Sequence, residues 1–255
     1  MIDTNIYLSR WPGRRLPYDD PAELVAKLKS MKVTQAWAGS FDGLLHRDIP
    51  QVNERLYAEC MRYGANGFLV PFGSVNPMLP GWEDDLAQCQ EKWRMPGIRL
   101  HPGYHGYALK DAVFGRLLGL ARDRKMIVQV AVEMEDERTQ HPLLHAPSAN
   151  LAELIDAVKL VSGVRVVVQN IRAATRPMVK SLAAAGMWMD YSTTEGIHGM
   201  TRLVEDAGVE RIVFGSKSPL FYFESNSLKL REAGIAGPLA AAILEGNAKA
   251  LLVGR

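Results

Sequence analysis

The fold is decided by residues 126–170. Met126–Val132 reads MIVQVAV, Leu151–Leu160 reads LAELIDAVKL and Val164–Asn170 reads VRVVVQN. The outer segments are short, β-branched and apolar almost throughout, as strands buried on both faces are. The middle one carries Leu151, Leu154, Ile155 and Val158 at helical spacing and stops before Gly163. Two strands joined by a helix must run parallel, because only a crossover returns the chain to the same end of the sheet.

Outward from this unit the pattern repeats. Further strands are expected at Ile2–Leu8, Val33–Ala38, Gly67–Phe72, Gly97–His101, Met187–Tyr191 and Arg211–Gly215. Helical stripes separate them: Leu24/Val25/Leu28/Met31, Val52/Leu56/Cys60, Leu86/Cys89, Phe114/Leu117/Leu118/Ala121, Val179/Leu182 and Leu203/Val204. A last helix opened by Pro238 runs through Leu239, Ile243 and Leu251. Asp20 ahead of Pro21 and Glu23 reads as a helix N-cap. Gly64, Gly163, Gly186, Gly208 and Gly234 read as left-handed helix stops. Eight strand–helix units in 255 residues make about 32 residues each, the size of the repeat in a (β/α)8 TIM barrel. An open doubly wound sheet is the competitor, but no glycine-rich phosphate loop follows the first strand. No linker or low-complexity stretch divides the chain, so residues 1–255 read as a single α/β domain.

Composition narrows the partners. With 47% hydrophobic and 23% charged residues the chain falls in the globular class. Thirty basic against 28 acidic residues leave a formal charge of +2, which gives no polyelectrolyte face and argues against nucleic acid. No apolar run approaches the roughly 20 residues that span a bilayer. The segment MIDTNIYLSRWP lacks a basic region followed by an apolar one, so no signal peptide is expected. A cytoplasmic location follows, and Cys60 and Cys89 read as small buried hydrophobes of a reducing compartment. The partner expected is a small molecule, and a homo-oligomer is compatible with the sequence.

In a barrel of this kind the chemistry sits at the C-terminal strand ends. The polar residues there are Asn5, Tyr7 and Arg10 after the first strand, and Trp37 with them as an apolar wall after the second. Arg99, His101 and His105 close the fourth strand, and Gln129 and Glu133 the fifth. Asn170, Asp190 and Lys217 close the sixth, seventh and eighth. Buried polar groups are costly unless paired or used, so the cluster reads as a polar mouth.

Four stretches carry a resemblance: MIDTNIYL (1–8), GIRLHPGYHGY (97–107), RIVFGSKSPLF (211–221) and ILEGNAKALL (243–252). Together they resemble the amidohydrolase-related family of metal-dependent hydrolases and decarboxylases. The resemblance spans the chain in order and implies the TIM-barrel fold and a small carboxylate-bearing substrate. It also implies a metal held by a His-x-His pair on the first strand, histidines on strands five and six and an aspartate on strand eight. Here those positions hold Asn5 and Tyr7, residues 129–131 without a histidine, Asn170 and Lys217. Amide, phenol and ammonium do not replace imidazole and carboxylate as ligands. No cofactor and no metal are therefore expected.

Several readings remain open at this level. Two histidine pairs four residues apart, His101/His105 and His141/His145, can build a relocated metal site, shape the mouth, or move protons. His46 sits on a loop where it lines the pocket or caps a helix. Glu133 and Glu135 form either an acid/base pair or a solvated loop. Arg10, Arg14 and Arg15 meet an anion or form surface ion pairs. Arg99 and Lys217, on strands four and eight, are expected to hold a carboxylate or phosphate between them. Lys217 is expected to supply the charge of the missing metal, paired with Asp190 or Tyr7 or acting as an amine, with Lys217, His101, His105 and Asp190 as the catalytic candidates. The functions in competition are a metal-free hydrolase or lyase and a non-catalytic ligand-binding barrel.

Overall fold

All eight expected strands are present and form one parallel sheet in the order β1 to β8. They are Ile2–Leu8, Gln35–Ser40, Leu69–Ser74, Gly97–Leu100, Ile127–Ala131, Arg165–Gln169, Trp188–Asp190 and Ile212–Val213. This computed structural model describes residues 1–172 and 175–254. Backbone bonds from Thr4 to Phe214 (2.9 Å), Tyr7 to Ser218 (2.9 Å) and Lys217 to Asn5 (2.7 Å) join the β8 end to β1, with a parallel bridge at Ile6 and Ser218. The sheet is thus rolled into a barrel, as in a (β/α)8 fold.

The helices lie between the strands. In order they are α1 (Pro21–Ser30), α2 (Ile49–Tyr63), α3 (Trp82–Glu91), α4 (Pro102–His105), α5 (Ala112–Asp123), α6 (Leu151–Leu160), α7 (Arg176–Ala184), α8 (Gly199–Ala207) and α9 (Phe223–Glu232). The chain then closes with α10 (Gly237–Ala241), a π-helical turn (Ala242–Gly246) and α11 (Asn247–Val253). Asp20 caps α1 as its sequence suggests, accepting from the amides of Ala22 and Glu23. Among the described residues no helix is long and apolar enough to cross a membrane.

Local expectations needed two corrections. Gly64 is not left-handed (φ −102°). It is glycine because a Cβ there would lie 2.5 Å from the Leu69 Cβ and from the Cys60 carbonyl. Pro102–His105, expected as an open loop, closes into one helical turn with Pro102 at its start and Gly106 at φ 72° at its end. Cys60 and Cys89 are free and buried, on α2 and α3 as expected.

Inside, the barrel is stratified. Its base is apolar: Ile2, Trp37, Phe72, Ile127, Val167 and Val213, closed from below by Ala248 and Leu251. Above it lies a polar layer, and over the mouth a second apolar cluster of Tyr7, Trp11, Leu16, Phe41, Leu44 and Met134.

Candidate functional site

The first strand sets the site. Side chains alternate along a strand, so Asp3, Asn5 and Tyr7 share one face, at rising depth toward the mouth. All three are fully buried. Asp3 Oδ1 accepts the amides of Asn5 (3.1 Å) and Ser216 (2.9 Å), while its Oδ2 has no hydrogen-bond partner. Burial pushes this carboxyl up to about 7.

Around Asn5 the network is dense. Its Nδ2 donates to Asn170 Oδ1 (2.9 Å) and to Asp190 Oδ2 (2.6 Å). Asp190 Oδ1 accepts the amides of Asn170 (3.0 Å) and Ser192 (3.1 Å), and lies 2.9 Å from the Ser192 hydroxyl. Asn170 Nδ2 donates to the Glu133 carbonyl at 2.6 Å. Gly215 makes room for this pairing, since a Cβ there would lie 2.9 Å from both Asn5 Cβ and Asp190 Oδ2. Desolvation raises the Asp190 carboxyl, opposed by its donors.

Tyr7 forms the upper wall. Its ring stacks on Phe41 with centroids 4.7 Å apart, and its hydroxyl is 3.2 Å from His101 Nε2. Which of the two donates depends on the imidazole tautomer. Burial holds His101 well below the usual histidine range, so the ring is neutral near pH 7. His101 and His105 are brought together, their rings 6.1 Å apart and nearly perpendicular. His105 Nε2 meets the Gly43 carbonyl at 2.9 Å. His141, His145 and His46 are exposed on loops, so no four-histidine cluster forms.

Arg99 departs from expectation. It lies fully buried inside the barrel rather than at an open mouth. Its Nε donates to Gln129 Oε1 (2.8 Å), Nη1 to the Ile6 carbonyl (2.6 Å), and Nη2 to those of Thr4 (3.2 Å) and Trp37 (3.1 Å). Gln129 and Gln169 also donate to the Thr4 carbonyl. With its donors engaged by protein acceptors, Arg99 does not grip an anion together with Lys217, and Gln129 orients it. Trp37 is likewise not a mouth wall: it stacks on Phe72 (4.8 Å) in the base. Arg10 is exposed. Glu133 is ion-paired with Arg172, Glu135 with Arg14, so neither stands as a free acid or base.

Lys217 follows β8 in a left-handed conformation, φ 59°; Asn170, after β6, does the same at φ 64°. Such conformations cost non-glycine residues energy and cluster where a side chain must be aimed. Lys217 is fully buried and its Nζ has no hydrogen-bond partner. The expected pair with Asp190 or Tyr7 is not made: Asp190 is already satisfied by amide and hydroxyl donors. The ammonium faces the Phe221 ring instead, 4.7 Å from its centroid. Desolvation brings the amine down to about 7, with the charge of Asp190 acting against the shift.

The mouth is sealed. Trp11, Phe41, Leu44, Met134 and the half-buried Leu220 lie across it. Above, a cleft of about 420 Å³ is walled by Arg14, Glu135, Arg172, Leu220 and Phe221, among others. Sequence reading missed Asp3, Ser192 and Phe221. Asp3 was visible as a member of the alternating polar face of β1; Ser192 and Phe221 sit in loops that only the fold brings to the site.

A divalent metal, as the family resemblance implies, does not suit this donor set. Asn5 turns its amide N–H groups toward Asn170 and Asp190, both Asp190 oxygens already accept N–H or O–H groups, and Lys217 adds a cation. Among the described residues no group of three or more His, Cys, Asp or Glu is placed to hold a metal ion.

No family model and no curated protein sequence matches the chain. Solved structures do. One is a 2,6-dihydroxybenzoate decarboxylase in complex with 2,6-dihydroxybenzoate (TM-score 0.77, 11% identity, covering 99% of this chain and 98% of that one). A provisionally assigned amidohydrolase from Staphylococcus aureus matches at TM-score 0.76 and 11% identity, over 99% and 100% of the two chains. A dihydroxybenzoic acid decarboxylase from Polaromonas sp. JS666, with bound manganese and the inhibitor 2-nitroresorcinol, matches at 0.76 and 10%, over 99% and 96%. The chain shares their fold. The likeness spans the full barrel, as the sequence motifs led one to expect, and at these identities it speaks for the architecture alone.

Proposed function

We propose that this chain is a divergent amidohydrolase-type barrel that takes a small carboxylate-bearing molecule at the C-terminal mouth, in a hydrolase or lyase reaction run without the family's metal. The observation that carries this reading is Lys217: a buried amine with no acceptor within hydrogen-bond distance, at the strand end where the resemblance puts a metal-ligating carboxylate. A ligand carboxylate supplies the missing acceptor, and in so dry a site the pair is stronger than in water. Neutral His101 and the Tyr7 hydroxyl, 3.2 Å apart in the same barrel interior, are the proton carriers of this reading. The solved neighbours in complex with 2,6-dihydroxybenzoate and 2-nitroresorcinol are consistent with a small, polar ligand.

The test is calorimetric titration with a panel of small mono- and dicarboxylates across pH. The charges that act on the amine are those of Asp190, Arg172, Glu135 and Lys229. A bound carboxylate favours the ammonium, so binding takes up a proton near pH 7 and weakens about tenfold per pH unit above it. Lys217→Met abolishes binding. Carboxylate binding that survives this variant, or that does not change between pH 6 and 9, contradicts the reading.

A second reading is favoured by the sealed mouth and by Asp190's full set of donors: a non-catalytic barrel that binds its ligand and does not turn it over. Binding without turnover of any panel member, with and without added metal ions, selects it.

A further inference from the structure

Lys217 has features that a counter-ion for a carboxylate does not need. A cation meant only to attract an anion works best when protonated at all times, as arginine is. Here the chain buries a primary amine against the Phe221 ring. Its Nζ is without a hydrogen-bond partner. Its backbone is left-handed at φ 59°, a conformation that costs a non-glycine residue energy. Those are the conditions for an amine nucleophile: lone pair free and charge disfavoured by burial.

We propose that Lys217 is a covalent carbonyl-binding residue, its Nζ condensing with the aldehyde or ketone carbon of a small oxo acid. This rests on the reading of the mouth as a carboxylate site and names the substrate class for it. The neutral amine adds its lone pair to the carbonyl carbon, and the oxygen takes up a proton to give a carbinolamine. Loss of water then forms the C=N bond, and protonation at nitrogen restores the positive charge that pairs with the carboxylate. With a 3-oxo acid the iminium accepts the electron pair of the bond to the carboxylate carbon. Carbon dioxide leaves, the resulting enamine takes a proton from water, and hydrolysis frees Lys217. No oxidant and no metal are required.

Access fits the same picture. Phe221, the ring over Nζ, lines the 420 Å³ cleft on one side and, on the other, a 260 Å³ cleft with Leu16, Pro17, Tyr18 and Leu24. The ring against the amine is thus a wall of both clefts. Burial also sets Lys217 apart from exposed lysines. An amine with the ordinary pKa is only about 0.04% neutral at pH 7, whereas one brought down to about 7 is neutral in comparable amount to its charged form.

The experiment is borohydride trapping at pH 7 with pyruvate, 2-oxoglutarate and acetoacetate, followed by peptide mapping. The expected result is one reduced adduct, on the peptide bearing Lys217, formed at least about 100-fold faster than on exposed lysines. Phe221→Ala speeds trapping. Lys217→Arg keeps a cation, retains carboxylate binding and loses the adduct; circular dichroism shows that the variant is folded. Adducts confined to exposed lysines while simple carboxylates still bind in a Lys217-dependent way overturn this inference and leave the carboxylate reading standing. Failure of both trapping and carboxylate binding overturns both.

Discussion

Arg99 on β4 and Lys217 just past β8 are both fully buried cationic side chains in one barrel, and the structure treats them in opposite ways. Arg99 is surrounded by four oxygen acceptors, three of them backbone carbonyls of β1 and β2, and its guanidinium lies under the Tyr7 ring at 4.5 Å. It acts as an internal staple between strands. Lys217 has no acceptor. A buried charge bonded to the protein's own acceptors is architecture; a buried amine without them is where we propose that a ligand carboxylate pairs.

Removing the staple is the largest perturbation. Arg99→Met leaves the Ile6 and Trp37 carbonyls and Gln129 Oε1 without the donors they now have. Each buried orphan costs about 1–3 kcal/mol, so urea denaturation is expected to show a loss of roughly 3–5 kcal/mol or a failure to fold. A stable Arg99→Met protein that loses only ligand binding makes Arg99 a ligand residue and erases the contrast.

Gly39→Ala sharpens the point more gently. A Cβ on residue 39 would sit 2.7 Å from Arg99 Nη1 and 2.9 Å from its Cδ, and the guanidinium is fixed by its acceptors. Overpacking of about 1–3 kcal/mol is expected, read as a lowered denaturation midpoint. An unchanged midpoint shows that Arg99 is free to move.

Lys217→Met removes no hydrogen bond, and its expected effect is smallest near pH 10.5, where the unfolded amine also gives up its proton. Its signature lies in pH. Folded Lys217 releases its proton near 7 and unfolded Lys217 near 10.5. Between those values the unfolded chain binds more protons, so the residue's contribution to stability rises with pH across that window. As pH falls from 10.5 to 7 folding must strip a proton from the amine, and below 7 it must bury the charge, so the methionine variant is the more stable protein across this range, by most below pH 7. Melting curves from pH 5 to 10 check this; a wild-type advantage at pH 5 breaks the comparison.

The barrel was legible because each of its eight units repeats the same two periods, and one clear unit, residues 126–170, fixes the parallel connection for all. The strand ends drifted by one to a few residues, since hydrophobicity runs past the last ladder bond: Val33 and Thr34 are apolar or β-branched yet β2 begins at Gln35. The site was legible as a set of residues and not as a set of depths. Trp37 and Arg99 close their strands in sequence, but strand tilt and stagger put the one in the base and the other in the middle layer, where backbone carbonyls take its donors. Lys217 could be read as a replaced ligand; that Asp190 would be taken by Asn5, Asn170 and Ser192, leaving the amine alone, depends on contacts between loops far apart in the chain.

The central claim is that Lys217 is an unpaired, readily neutral amine waiting for a carboxylate. It is tested most directly by following the Lys217 side chain by NMR through a pH titration, with Lys217→Arg to assign the signal. The account predicts a midpoint near pH 7 in the free protein and a clear rise when a bound small carboxylate is present. A midpoint near 10.5 that no carboxylate moves would contradict it.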